Sequence, residues 1–259
     1  MNVILETQGL TKTFGGLTAV NAVSLSVRAG EAFAVIGPNG AGKSTFLNLL
    51  SGLTPATAGE IRLNGLELTG MAPHRLRGLG SARTFQNGRL FKRLSVLENV
   101  MAGACPSEGS RLGDILFRRG RYARWQAQMR ARAEEALSTL GLFEIRDRAV
   151  ESLPFGLQRN VEMARALVAD AKILLLDEPA AGLNSSERIA LVDRLGALKA
   201  RGLAVVLIEH DMSLVMAWSE RIAVLNFGEV IAEGSPSDIR ANPRVIEAYL
   251  GGEDAHARA

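Results

Sequence analysis

Residues 32–44 read Ala32-Phe33-Ala34-Val35-Ile36-Gly37-Pro38-Asn39-Gly40-Ala41-Gly42-Lys43-Ser44. Five continuously apolar residues running into a glycine-rich turn are the pattern of a central parallel strand covered on both faces. The turn fits G-x-x-x-x-G-K-[ST], with the required strand before it and a helix-like segment, Ser44 to Ser51, after it. Chemistry dictates these residue types. Glycines let backbone N–H groups curl round phosphate oxygens, and the following helix N-terminus adds partial positive charge. Lys43 is placed to reach the β- and γ-phosphates, and Ser44 Oγ to bind Mg²⁺. Gly37, Pro38, Asn39, Gly40, Ala41, Gly42, Lys43, Ser44 and Thr45 are therefore the candidate nucleotide-binding residues.

Downstream, Ile173 to Leu176 forms a second apolar run that ends in Asp177-Glu178-Pro179, and Ala204 to Ile208 a third that ends in Glu209-His210. In open parallel sheets the ligand sits outside the carboxyl ends of the strands, so these three ends should converge on one crevice. Asp177 is placed to hold a Mg²⁺ hydration shell, and Glu178 to accept a proton from the water attacking the γ-phosphate. Upstream, the runs Val3 to Leu5 and Val23 to Val27, separated by Gly15-Gly16, suggest a small antiparallel sheet. Between Asn87 and Asp170 no comparable strand is expected. Arg130 to Leu140 and Leu157 to Val168 space their apolar residues helically, which suggests an inserted helical subdomain with Gly103 to Gly113 as its loop. The expected division is an α/β core over 1–86 and 171–250, a helical insert over 87–170 and a frayed tail over 251–259.

Length and composition agree with such a fold. At about 150 residues per domain, the 259 residues give roughly 1.7 domains. A chain that is 47% hydrophobic and 22% charged can bury a sizeable core. No stretch approaches the roughly 18 apolar residues a membrane span needs, and Met1 to Gly9 lacks the pattern of a signal peptide. The expected location is therefore the cytoplasm. Cys105 is the single cysteine, which excludes an internal disulfide, and three histidines leave little for metal binding. The formal charge of +3 is uneven, because Arg111 to Arg132 holds seven arginines against one acid, Asp114. That segment reads as a solvated helix or loop, as a surface near anionic lipid headgroups, or as a nucleic-acid contact. Tyr122 and Trp125 do not form the repeated stacking platform that single-stranded nucleic acid would use, so no direct nucleic-acid partner is expected.

With these motifs in place, essentially the whole chain resembles the nucleotide-binding subunit of the ATP-binding cassette (ABC) transporters. The resemblance implies a P-loop NTPase, RecA-like α/β core with a mostly parallel sheet, an N-terminal antiparallel β subdomain and an inserted α-helical subdomain. It implies ATP and Mg²⁺ as ligands. Gln86, within Thr84-Phe85-Gln86-Asn87, resembles the glutamine-loop residue that touches Mg²⁺ and faces the membrane subunit. His210, within Ile208-Glu209-His210-Asp211, resembles the switch histidine at the γ-phosphate, and Phe14 sits where the family places an aromatic under adenine.

The family signature Leu-Ser-Gly-Gly-Gln is replaced by Leu153-Pro154-Phe155-Gly156-Leu157, followed by the expected Gln158-Arg159. Pro154 removes the hydroxyl that in the family contacts ATP on a partner cassette. Gly156 and a helix start remain, so Pro154, Phe155 and Gly156 are kept as nucleotide contacts in trans. Asn184 replaces a common aspartate. Two cassettes pair head to tail in this family, and an intact set of residues beside an altered signature points to a heterodimer with unequal sites. A homodimer would carry the alteration twice. The Ala-Ala-Gly-Leu-Asn loop, the arginine-rich insert and the ending Ile231 to Gly251 are similar to the cassettes of branched-chain amino acid importers. That resemblance implies membrane permeases, indirectly a solute-binding protein, and a place on the inner face of the cell membrane. Uptake of urea, short amides or aromatic acids, export of lipid or lipopolysaccharide, and a soluble ABC ATPase acting on nucleic acid or ribosomes are the alternatives.

Overall fold

Alternating and continuous apolar runs divide the strands of this chain into two sheets of different character. A computed structural model describes residues 2–84, 90–104 and 119–256. It divides into two compact units, Met1–Arg83 with Lys172–Ala259, and Thr84–Ala171.

In the first unit, β1 (Val3–Phe14) and β2 (Leu17–Arg28) form a long antiparallel hairpin closed by Gly15 and Gly16. β4 (Ala58–Leu63) and β5 (Leu66–Glu67) extend it in the order β2-β1-β4-β5. Along β2 the buried residues are Val20, Val23, Leu25 and Val27. The alternation breaks between Val20 and Val23 because Ala22 takes a left-handed φ of 48° and the register against β1 shifts there. Such a bulge lets both valines face the core.

The second sheet carries the apolar runs. Its strands are β3 (Ala32–Ile36), β6 (Ser81–Arg83), β7 (Ile173–Asp177), β8 (Ala204–Ile208), β9 (Arg221–Asn226) and β10 (Glu229–Gly234), in the order β10-β9-β3-β8-β7-β6. β3, β7 and β8 are buried throughout, as strands covered on both faces must be. All neighbours pair in parallel except the β9–β10 hairpin. The register sets Val35 against Ile208 and Ile208 against Asp177, so three strand ends lie level. β6, β9 and β10 stand outside the three core strands expected from apolar runs. β6 is three half-buried residues, Ser81-Ala82-Arg83, with no apolar run to mark it.

Helix α1 (Lys43–Leu50) follows the glycine-rich turn and α2 (Pro73–Gly78) follows β5. The second unit holds α3 (Val96–Met101), α4 (Arg119–Thr139) and α5 (Phe155–Val168), which pack on one another. Leu137, Leu140, Leu142 and Val161 are wholly buried within it. Among its described residues there is no strand, only an isolated bridge between Ser95 and Ala149. The helix expected over Arg130 to Leu140 begins earlier, at Arg119. Most of the loop expected at Gly103 to Gly113, with Cys105, lies outside the described residues. In the first unit, α6 (Ser185–Ala200), α7 (Met212–Trp218), α8 (Pro236–Ala241) and α9 (Pro243–His256) complete the chain. The backbone of 251–256, expected to fray, continues α9.

The glycine-rich turn is held against β2 at a distance only glycine permits. Gly42 has φ 98°, and a Cβ there would stand 2.2 Å from the carbonyl oxygen of Ala19. Gly42→Ala should therefore destabilise the nucleotide-free protein by at least about 2 kcal/mol, combining backbone strain with overpacking. Urea denaturation checks this, and an unchanged midpoint contradicts it.

Candidate functional site

The first element of the site is the turn between β3 and α1. Gly40 and Gly42 take left-handed backbone conformations, with φ 80° and 98°. Asn39 and Gly40 are exposed at its crest, while Lys43 is buried beneath. The Lys43 ammonium donates to the carbonyls of Gly37, at 2.7 Å, and Pro38, at 2.9 Å. Burial pulls its pKa below the usual lysine value, and the nearby Glu178 and Asp177 carboxylates oppose that shift. The loop is thus a curl of backbone closed by its own cation. Gly42 caps α1 without any side-chain hydrogen bond. The first-turn amides of Lys43, Ser44 and Thr45 then have no capping side chain, and such a terminus favours an anion. Ser44 is exposed and Thr45 half-buried.

The second element is the end of β7. Asp177 is buried, and its Oδ2 accepts from Arg83 Nη2 at 2.9 Å. Arg83 Nη1 donates in turn to Asn48 Oδ1, at 2.7 Å, and Ser51 Oγ, at 2.8 Å, so the guanidinium ties the carboxylate to α1. Burial lowers the Arg83 pKa while Asp177 holds it up. The other oxygen, Asp177 Oδ1, is buried with no hydrogen-bond partner. A buried carboxylate oxygen left unmatched is costly unless something cationic answers it. Among the described residues no group of three or more His, Cys, Asp or Glu is arranged to hold a metal ion. A hard cation at Asp177 would need ligand oxygens as well, which is how Mg²⁺ is held beside phosphates.

Glu178 follows with φ 45°, a left-handed conformation that costs a non-glycine residue about 1–3 kcal/mol. Its amide donates to Ile208 O at 2.9 Å, which pins the turn to the end of β8. The Glu178 carboxylate, 28% exposed, lies 3.8 Å from His210 Nδ1, and the His210 side chain is 61% exposed. Behind them Glu209 is wholly buried. Its Oε1 accepts from the Ala180 amide at 2.7 Å and its Oε2 from the His210 amide at 3.2 Å. Burial pushes the Glu209 pKa up, and those backbone amides pull the other way.

The structure therefore brings together the glycine-rich turn, Asp177, Glu178 and His210. Arg83 and Glu209 were not among the residues expected to act. Glu209 had a visible signal, a carboxylate directly after a continuous apolar strand, whereas Arg83 had none beyond its nearness to Gln86. Gln86 lies outside the described residues. Phe14, at the end of β1, is 49% exposed, with the Lys12 ammonium 4.9 Å from its ring centre. Pro154, Phe155 and Gly156 belong to the second unit, where Pro154 precedes α5 and offers no side-chain cap. Phe155 is 50% exposed, with the Arg159 guanidinium 4.6 Å from its ring centre.

The model of the ABC transporter family matches residues 20–181, and that of the branched-chain amino acid ATP-binding cassette transporter matches residues 229–255. The chain is 43% identical over 249 residues to the high-affinity branched-chain amino acid transport ATP-binding protein BraF of Pseudomonas aeruginosa, covering 96% of this chain and 98% of BraF. Among solved structures it is similar to the ADP conformation of MJ1267, an ATP-binding cassette of an ABC transporter. That likeness has a TM-score of 0.84 and 32% identity, and covers 97% of this chain and 100% of the other. It is also similar to the dimeric MJ0796 cassette, with a TM-score of 0.73 and 28% identity over 90% of this chain and 99% of the other.

Arg83 and Asp177 are 9% and 8% exposed as side chains, so removing one charge strands the other in a poorly solvated place. Arg83→Met should cost about 3 kcal/mol of stability, clearly more than breaking an exposed pair. Guanidinium denaturation of the two variants Arg83→Met and Arg62→Met gives the comparison, since Arg62 and Glu60 form an exposed pair. Equal losses would contradict it.

Proposed function

The chain belongs to the ABC transporter family as one of its ATP-hydrolysing cassettes, and we propose that it powers uptake of branched-chain or other hydrophobic amino acids through a membrane permease. The substrate class is supported by the branched-chain cassette model matched at residues 229–255 and by the name of the relative BraF. The chemistry is carried by one observation, the unpartnered and buried Asp177 Oδ1 beside the glycine-rich turn and Glu178.

In this reading the amides and ammonium of residues 37–45 grip the phosphates, and the exposed ring of Phe14 stacks under adenine. Ser44 Oγ and Asp177 Oδ1 would hold Mg²⁺ together with the phosphates, and Gln86 would complete that shell. When bound, the ion neutralises charge on the β- and γ-phosphate oxygens. Glu178 accepts a proton from the attacking water, whose oxygen bonds to the γ-phosphorus as the bond to the β-bridging oxygen breaks. ADP and inorganic phosphate leave. His210, beside Glu178, contacts the γ-phosphate and stabilises charge that develops there.

ABC cassettes work as dimers with membrane permeases. For this chain we assign a head-to-tail pairing in which Pro154, Phe155 and Gly156 serve the partner's nucleotide. The altered signature favours a different cassette as that partner, and a solute-binding protein acts through the permease. Among the described residues no helix is long and apolar enough to cross a membrane. From its likeness to the cassettes of ABC transporters, we assign this chain a peripheral place on the cytoplasmic face of the membrane.

Two measurements test this. Glu178→Gln should retain ATP binding by calorimetry while turnover falls by about two orders of magnitude or more, the size of losing a positioned base. Near-normal turnover would remove Glu178 from its role. Detergent extraction of membranes should recover the chain with permeases and a second, different cassette, and recovery with only its own copies would exclude the heterodimer.

A further inference from the structure

Glu209 is a charged residue where a strand leaves the sheet, yet it is wholly buried. It does not reach outward to a ligand. Its two oxygens are spent on the backbone of two different loops. Oε1 receives the Ala180 amide, in the loop after β7, and Oε2 receives the His210 amide, in the loop after β8. The Asp211 amide also points to this carboxylate.

Two further ties join the same loops. The Glu178 amide donates to Ile208 O at 2.9 Å, and Arg188 Nη1 of α6 pairs with Asp211 Oδ2 at 2.6 Å. Arg188 Nε also donates to Leu183 O at 3.2 Å. Among the described residues the largely exposed His210 ring comes no closer than 3.8 Å to either neighbouring carboxylate, whereas its backbone amide is hydrogen-bonded to Glu209. An exposed ring that must meet a phosphate within a fraction of an ångström depends on what fixes its backbone.

We propose that Glu209 is a positioning residue, whose buried carboxylate binds the loop carrying Glu178 and the loop carrying His210 into one rigid unit. This rests on the reading of Glu178 and His210 given above. A carboxylate suits the task because, ionised, it offers only acceptors, and the backbone groups that reach it are N–H donors. Burial raises its pKa, but three backbone amides favour the ionised form. No other side chain of that size can accept at both ends. Glutamine would set an NH₂ group against one of the backbone amides.

The test is a double-mutant cycle on the full-length chain, with ATP turnover and ATP affinity read separately. Glu209→Gln should bind ATP within about twofold of the wild type and lose about tenfold in kcat, the effect expected when a buried donor loses its acceptor. His210→Ala should lower kcat as well. The double variant should be no slower than the slower single one, because both changes remove the same placed imidazole. Unchanged kcat in Glu209→Gln, or losses that multiply in the double variant, would overturn the role of Glu209 alone. Unchanged kcat in His210→Ala would overturn the reading of the site together with it. Hydrogen exchange of the wild-type chain gives a check independent of any variant. The Ala180 and His210 amides should be protected, and exchange at the rate of an open loop would overturn the proposal.

Discussion

The level ending of three buried strands is the constraint on which the site depends. β3, β7 and β8 are covered on both faces, so a charge inside their apolar runs would be costly. Charged and polar chemistry is forced to the first positions beyond the apolar run. Parallel pairing then does the rest, since the register sets Val35, Ile208 and Asp177 side by side. Lys43, Asp177, Glu178, Glu209 and His210, distant in sequence, come to one edge of one sheet.

At that edge, burial makes each polar group depend on its partners. The Arg83–Asp177 pair is nearly as buried as the core, and its guanidinium is shared with Asn48 and Ser51. The pairing divides the aspartate into one oxygen that is structurally engaged and one that is not. Glu209 is the opposite case, a carboxylate fully engaged by backbone amides and turned away from the ligand side. Two acidic residues at the ends of adjacent strands thus do different work, and the difference lies in which donors surround them. The left-handed backbone at Glu178 belongs to the same economy of space. A turn that must leave the strand at once, and still donate its amide to Ile208, has few conformations open to it.

Much of this was legible in the sequence because the strongest signals are local. Ala32 to Ile36, Ile173 to Leu176 and Ala204 to Ile208 announce their burial by unbroken apolar runs, and Gly37 to Ser44 announces its curl by its glycines. β6 was not legible, because Ser81-Ala82-Arg83 is a strand only by virtue of its pairing with β7. Arg83 was missed for the same reason, since its partners Asn48, Ser51 and Asp177 are fixed by the tertiary fold alone. Glu209 was legible in position but not in role, which depends on the Ala180 amide arriving from another loop. The end of the chain reads as a tail because the last residues of a domain commonly fray, yet the backbone of α9 continues through Gly251 and Gly252.

The two departures from the family's pattern differ in what they remove. Asn184 still caps α6, its Oδ1 accepting the Glu187 amide at 3.0 Å while the Glu187 carboxylate returns to the Asn184 amide at 2.9 Å. An aspartate would make the same bonds, so the change deletes a negative charge and leaves the local fold alone. Pro154 acts in the other direction. It starts α5 with a fixed φ of −54° and contributes no side-chain acceptor to the first-turn amides. A serine there could turn its hydroxyl inward to cap its own helix or outward to a phosphate; proline can do neither, and the amides beyond it keep their affinity for an anion. Both changes therefore alter what the loop presents outward, and they differ behind it: Asn184 leaves the cap of α6 in place, whereas Pro154 leaves α5 without a side-chain cap.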